Sequence, residues 1–447
     1  MTAMSPRAAV AVSAALLCLF IPAVAEQGRK ATPVEPMIFE YQGLVDPNLV
    51  IAEERRAARV AEDTALSAEW RADAFNARAI WRYFRGQYDL ALEDLDEAIK
   101  LHPKAAYYSN RGVMHRKLAV AARTPQDRQR HWKQAKDDYR KALEMTQGRS
   151  ACANNNLGWL LVLEANRQSD EDRRDELLQR AKEHLRKAAT TTGEAQSPLP
   201  LAQVNLAAAC IRQDNLKAAR KHLEAVAGQV DRAEAPWTEQ CRLLNLGELA
   251  RCSGDWETAA RLYKQAYELG RPSHLPPPSA QLNDPKNTEA DKSPWILQRL
   301  GAARFLLGWY EQAYQDLTTA AEKFGRRTVA GRYAALLAAL AQAREAGKDK
   351  IDAPAEVSRP KTWIDALEMY LADRLSAHSL KGAARDEDPA AERAKKCEMY
   401  YYMGEKRLLE SHGNLDERSR ELFKKAVAAG EPHRLERTMA QYRLEGQ

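Results

Sequence analysis

Sustained two-residue alternation of apolar and polar side chains, the mark of a half-buried strand, is missing from all 447 residues of this chain. Aromatics are scarce as well, at 7% with only 7 Phe, while Ala, Leu, Glu, Arg and Lys abound. Both features turn the expectation from sheet to helix. Catalytic signatures are absent too. There is no His-Glu-x-x-His, no glycine-rich phosphate loop, no nucleophile elbow and no close cysteine pair. The chain is therefore expected to be non-enzymatic, with no cofactor and no metal centre. Charge of one sign is lacking: the net +6 is spread through mixed stretches. "RRDELLQRAKEHLRKA" (173–188) sets opposite charges three and four residues apart, as on a solvated helix face. A nucleic-acid patch would be more one-sided, so no nucleic-acid partner is expected.

Only one stretch is long and apolar. Arg7 precedes "AAVAVSAALLCLFIPAVA", which ends in the small residues Ala23-Val24-Ala25. This is the pattern of a secretory signal peptide over 1–25, cleaved after Ala25. Ser13 and Pro22 interrupt the run and leave it marginal as a membrane anchor. The expectation is an exported chain, periplasmic or extracellular, with no integral membrane segment once the signal is removed. Cleavage leaves Cys152, Cys210, Cys241, Cys252 and Cys397, an odd number that excludes full internal pairing. Their spacing matches no zinc pattern, and small buried packing residues are the expectation.

What the chain does have is internal repetition. In "LNLGELARCSGDWETAARLYKQAYELG" (244–270), Gly247 is followed by Gly254, Trp256, Ala259, Tyr263 and Ala266. In 297–325, Gly301, Gly308, Tyr310, Ala313, Leu317 and Ala320 keep the same spacing. Ala79, Gly86, Tyr88, Ala91, Leu95, Ala98 and Pro103 repeat it. So do Ala207, Leu216, Ala219, Leu223 and Val226, with Asp214 at the turn glycine. Small residues such as Gly247, Gly301, Ala259 and Ala313 let two antiparallel helices approach closely, and the turn glycines permit backbone angles other residues resist. Leu95, Tyr263 and Leu317 are expected to pack onto the next unit. Two more units are stretched. Gly112 pairs with Ala135, Tyr139 and Ala142, and Gly158 with Ala181, Leu185 and Ala188. Both carry 11 extra residues between the glycine and the first alanine, about three helical turns. Longer hairpin arms are expected, with tips near 122–129 and 166–174.

These spacings resemble the tetratricopeptide repeat, a helix–turn–helix unit. The resemblance implies an all-α fold, an α-solenoid of helix–turn–helix units, two of them with elongated hairpins. The expected layout is a signal peptide (1–25), an N-terminal segment with a capping helix at about 48–69 (26–71), and five units (72–270). A proline-rich linker (271–294), a sixth unit with a following helix (295–350), and C-terminal helices with a degenerate repeat (361–447) complete it. In that last repeat Gly404, Gly413, Phe423 and Ala426 match in kind, in looser register.

Asparagine stands two residues before the small residue in four successive units: Asn110, Asn156, Asn205 and Asn245. Asn156 ends the run Asn154-Asn155-Asn156, in which Asn154 is expected at a helix start and Asn155 toward groove or solvent. First helices line the binding groove in the resembling family, where a carboxamide can donate to and accept from an extended peptide. Lys117 and Arg212 follow two turns further along that face, with Arg116 and Arg251 close by, so an acidic partner is expected. Trp159 is a candidate anchor in the groove. Asn76 and Ile80 break the carboxylate-clamp pattern of co-chaperones, and that clamp is not assigned. The expected function is a scaffold or adaptor of the cell envelope that holds a protein or extended peptide. The alternatives are a chaperone-like envelope assembly factor, or an accessory subunit or cryptic enzyme of cell-wall polymer metabolism.

Overall fold

The computed structural model describes residues 47–122, 124–165, 168, 170–191, 200–228, 236–269, 293–352, 359–387, 389–431 and 434–445. The expected signal peptide, residues 26–46 and nearly all of the linker at 271–294 lie outside the described residues. Among the described residues there are nineteen α-helices and no strand.

The chain divides into two compact units. One comprises Met1–Arg167, Arg173–Ala209 and Glu224–Glu239, the other Gln168–Asp172, Cys210–Leu223 and Gln240–Gln447. The first holds α1 (Pro47–Glu62), α2 (Ala68–Phe84), α3 (Tyr88–Leu101), α4 (Ala105–Ala121), α5 (Pro125–Met145), α6 (Ala151–Ala165) and nearly all of α7 (Glu171–Thr190). Helices α8 (Pro200–Arg212), α9 (Leu216–Val226) and α10 (Pro236–Cys252) contribute residues to both. The second continues with α11 (Trp256–Leu269), α12 (Ser293–Leu306), α13 (Tyr310–Phe324), α14 (Val329–Glu345), α15 (Trp363–Leu371), α16 (Ala377–Ala383), α17 (Pro389–Glu410), α18 (Glu417–Ala429) and α19 (Leu435–Glu445).

Each hairpin is set by its turn and by one close approach. Three residues separate α2 from α3, α10 from α11 and α12 from α13. The glycines there, Gly86, Gly254 and Gly308, have φ of 70°, 80° and 78°. The next amide closes the turn on a carbonyl five residues back, as Gln87 N does on Arg82 O at 2.9 Å. Asp214 takes the same left-handed angle, φ 55°, which Asp tolerates better than most residues. Past the turn, a Cβ built on Gly247 would lie 2.5 Å from the Tyr263 ring, and one on Gly301 2.5 Å from Leu317 Cγ. Tyr263 and Leu317 thus lie against the glycine of their own hairpin, not only toward the next unit as the spacing suggested. Gly112 and Tyr139, Gly158 and Leu185, and Gly404 and Phe423 make the same pair.

In the two stretched hairpins the 11 extra residues are mostly helix. Past Gly112, α4 runs four residues further than α10 runs past Gly247, and α5 begins seven residues earlier relative to Ala135. The connection stays at three residues, with the Thr124 hydroxyl accepting from Asp127 N at 3.1 Å. In α6 and α7, two residues lengthen the first helix, two the connection and seven the second helix. Apolar side chains are buried where the added arms join the ordinary hairpins, Trp132 on α5 and Leu177 and Leu178 on α7.

Two expected helices are broken. The helix read at 48–69 stops at Glu62: the Asp63 carboxylate takes Ala65 N at 3.0 Å, and Ser67 caps α2 by accepting from Trp70 N. The helix read at about 361–377 becomes α15 and α16, parted where Asp373 adopts φ 60°. Within the first unit one core runs from Ala72 and Ile80 through Tyr107 and Tyr139 to Leu185 and Leu206. Within the second, another joins Tyr263, Phe305, Leu317, Tyr401 and Phe423.

Candidate functional site: the face of the first helices

The run "NNN" lies inside α6, where Asn154, Asn155 and Asn156 are all buried. Ser150 caps the helix, its hydroxyl accepting from Ala153 N at 3.1 Å. Asn154 sits one turn in and reaches back, its amide donating to the carbonyls of Gly148 (2.8 Å) and Ser150 (2.9 Å). Its carboxamide oxygen lies 2.9 Å from His184 Nδ1 on α7. Burial holds that imidazole below its ordinary pKa, so it is neutral.

The other asparagines form a ladder across four first helices of the first unit. Asn110 on α4 donates to Asn76 on α2 at 2.7 Å. Asn156 on α6 donates to Ser109 Oγ on α4 at 3.4 Å. Asn205 on α8 donates to Asn155 on α6 at 2.9 Å, and Asn155 donates to Asn156 at 3.4 Å. Asn110 is 0% exposed, Asn156 4% and Asn205 7%. The expectation that these amides face a peptide is corrected here: their hydrogen bonds join helix to helix, and Asn110 has no surface to offer. Asn155, expected toward groove or solvent, is a rung itself. Burial forces this pairing, because an unpaired carboxamide in an apolar interior costs more than the bond returns.

Asn245 is half-buried and donates to Cys241 O within its own helix at 2.9 Å. Arg116 and Lys117 are buried on α4, with the Lys117 ammonium 5.7 Å from the centre of the Tyr83 ring. Trp159 is half-buried and packs on the core of the first unit. None of these four stands as the exposed groove contact the sequence suggested.

Arg212 and Arg251 are different. In the second unit they lie, with Arg299, near the carboxylate of Glu248. Glu248 Oε2 accepts from Arg251 Nη2 at 2.6 Å, and Oε1 accepts from the Tyr263 hydroxyl at 2.7 Å and lies 3.2 Å from Arg299 Nε. Arg251 Nη1 also donates to Thr438 Oγ1 at 2.7 Å. Burial alone would raise the Glu248 carboxyl, but Arg251 and Arg299 outweigh it and hold it at about 2. Arg251 is pushed above the ordinary arginine value, burial being overcome by Glu248. Arg212 goes the other way: burial lowers it, Glu248 offsets only part, and Arg299 adds repulsion. Two guanidiniums thus hold one carboxylate, from the end of α10 and from α12, and Arg212 at the end of α8 is near enough to be influenced by its charge. Arg251 is 1% exposed, whereas the Arg299 side chain keeps 27% and Arg212 is half-buried.

Arg299 was not singled out from sequence, yet a signal exists. It lies two residues before Gly301, the register of Asn110, Asn156, Asn205 and Asn245. A second unforeseen pattern lies three residues after the small residue of the second helix. There Asp94, Asp138 and Asp316 each meet an arginine of the first helix of the same hairpin. Arg78 Nη2 bonds to Asp94 at 2.7 Å, Arg111 Nη2 to Asp138 at 2.6 Å and Arg304 Nη1 to Asp316 at 2.7 Å.

Repeated hairpins, glycine set against a large side chain, and three-residue turns with a left-handed glycine together decide the fold. The fold is that of a tetratricopeptide array. A comparison with models of known protein families returns no match, and neither does one with curated protein sequences. Solved structures are similar. TTC0263, a thermophilic tetratricopeptide protein of Thermus thermophilus, shows 17% identity over 49% of this chain and 98% of its own, with a TM-score of 0.36. The quorum sensor NprR of B. thuringiensis shows 14% identity over 85% of this chain and 95% of its own, with a TM-score of 0.42. Yeast Tom70 shows 14% identity over 75% of this chain and 70% of its own, with a TM-score of 0.41. The similarity extends to the arrangement of helices only. Among the described residues of the array, no group of three or more His, Cys, Asp or Glu side chains could hold a metal. No helix among them is long and apolar enough to cross a membrane.

Proposed function

We propose that the chain is a protein-binding scaffold that grips an acidic side chain or terminal carboxylate of a partner segment between Arg212 and Arg299. The observation that carries this is the Glu248 carboxylate held by Arg251 and Arg299, with Arg212 near enough to be influenced by its charge. Arg251 is tied down by Glu248 and Thr438 and serves as the fixed floor. Arg212 and Arg299 keep accessible surface, and a guanidinium fork matches a carboxylate in two parallel hydrogen bonds. The test is selection of a random displayed peptide library on the full chain. Enriched peptides carry Asp, Glu or a free C-terminal carboxylate, and lose binding to the Arg212→Glu/Arg299→Glu variant. Enrichment of peptides without such a group, or unchanged binding by that variant, overturns the reading.

We place this activity outside the cytoplasm, in the cell envelope, on the strength of Arg7, the apolar run that follows and Ala23-Val24-Ala25. Mass spectrometry of the chain recovered from its native cell shows Glu26 as the first residue if this holds, and residues 1–25 still attached if it does not.

A further inference from the structure

The lengthened hairpin of α4 and α5 brings two histidines together. His131, four residues before Ala135, belongs to the added part of α5, and it meets His115, three residues past Gly112 in the part of α4 that ordinary units share. Their Nδ1 atoms are 3.1 Å apart, with ring centres 5.3 Å apart and planes at 35°. The geometry points to a two-imidazole site for a first-row divalent cation of the zinc or copper type.

Zinc sits about 2.0–2.1 Å from an imidazole nitrogen, and two such nitrogens in a tetrahedral shell are about 3.3 Å apart. The observed separation already matches that bite to within a few tenths of an ångström.

Arg130 Nη2 is 3.4 Å from His131 Nε2, and the Arg130 side chain is 60% exposed and pairs with Asp127 at 3.0 Å. A cation between the rings is bound by both Nδ1 lone pairs, each neutral ring keeping its proton on Nε2. On the far side, Asp138 Oδ2 lies 4.0 Å from His115 Nε2, where a carboxylate orients a ligating imidazole. Arg111 holds that carboxylate in place at 2.6 Å. Asp127, one turn before His131 on α5, is the nearest carboxylate to it in sequence. It now caps the helix with Thr124 and pairs with Arg130. Water fills the other positions, so the site is open and its cation exchangeable, unlike a closed structural zinc site. The bound ion pins α4 to the added part of α5, which ordinary units of this array do not have.

The test uses the untagged full chain, titrated calorimetrically with Zn(II) and with Cu(II). Wild type takes up one equivalent that His131→Ala binds at least ~10-fold more weakly, while the two proteins have the same circular dichroism. Electron paramagnetic resonance of the Cu(II) complex shows coupling to two imidazole nitrogens in wild type and not in His131→Ala. His131→Asn, which can keep a hydrogen bond to His115, loses the tight site as well. If wild type binds neither ion more tightly than His131→Ala does, the pair is a neutral hydrogen bond and the inference falls.

Discussion

Replacing Gly247 by alanine tests the close approach on which every hairpin depends. The added Cβ would lie 2.5, 2.7 and 3.1 Å from three atoms of the Tyr263 ring. Carbon pairs settle at about 3.5–4.0 Å, so the ring must retreat by about 1 Å. It has nowhere to go. Tyr263 is 0% exposed and its hydroxyl is held by Glu248 at 2.7 Å. Overpacking of this kind costs about 1–3 kcal/mol, and the better helix propensity of alanine returns about 1 kcal/mol. A net loss of up to about 2 kcal/mol is expected in this hairpin. Gly382 is the control: it is helical and exposed, with nothing within 4 Å of its built Cβ. Gly382→Ala is expected to gain about 0.5–1 kcal/mol. Because the chain has two compact units, a single unfolding midpoint is a poor readout. Hydrogen exchange read peptide by peptide across 240–269 and 377–384 separates the two effects. If Gly247→Ala slows exchange in its hairpin as Gly382→Ala does in α16, the close-approach reasoning is wrong.

Further outcomes follow from the buried charges. Asp138→Ala leaves Arg111 with the exposed Asp96 as its carboxylate partner and is expected to destabilise by about 2 kcal/mol, while Arg111→Leu/Asp138→Leu recovers most of the loss; hydrogen exchange across 105–145 checks this. His115 titrates near 4 in the folded chain against an ordinary 6.5. The unfolded chain therefore takes up its proton first as pH falls, so stability is full above pH 6.5 and declines toward pH 4, by up to about 3 kcal/mol. Hydrogen exchange of 105–145 between pH 7.5 and 4.5 reads it, and His115→Phe flattens the dependence. Burial would raise Asp365, but Arg332 and the hydrogen bonds from Lys361 and Thr362 outweigh it and hold it at about 2. Its contribution is present above about pH 4 and lost as pH falls toward 2. Asp365→Asn should remove that acid limb from the unfolding curve of the second unit and cost stability at pH 7.

The repeat was legible because it is written in small residues at fixed spacing. Gly112, Gly158, Gly247 and Gly301 each sit opposite the large residue that the spacing pairs with them. Even the 11-residue insertions could be read as longer arms, since they leave the packing faces in register. Helix ends were read less well. Asp63 and Ser67 end one helix and start another through side-chain bonds that compete with the helical pattern only locally. At the site, the register of the asparagines was visible and their purpose was not. Whether a carboxamide turns to a ligand or to the next helix depends on burial and on what stands opposite it. Asn110 meets Asn76, and Asn205 meets Asn155, across gaps of 34 and 50 residues that no local pattern exposes. The same distance hid the arginine cluster: Arg212, Glu248 and Arg299 come from three hairpins, and only folding makes them neighbours.

The central claim, a carboxylate held by Arg212 and Arg299, is tested most directly by one paired titration. A selected acidic peptide and its twin with that carboxylate turned to an amide are titrated into the full chain and into Arg212→Gln/Arg299→Gln at physiological salt. A charge-assisted hydrogen bond contributes about 1.5–3 kcal/mol. The account predicts that wild type favours the acid by about 10- to 100-fold and that the preference vanishes in the variant. An equal preference in both proteins, or none in wild type, contradicts it.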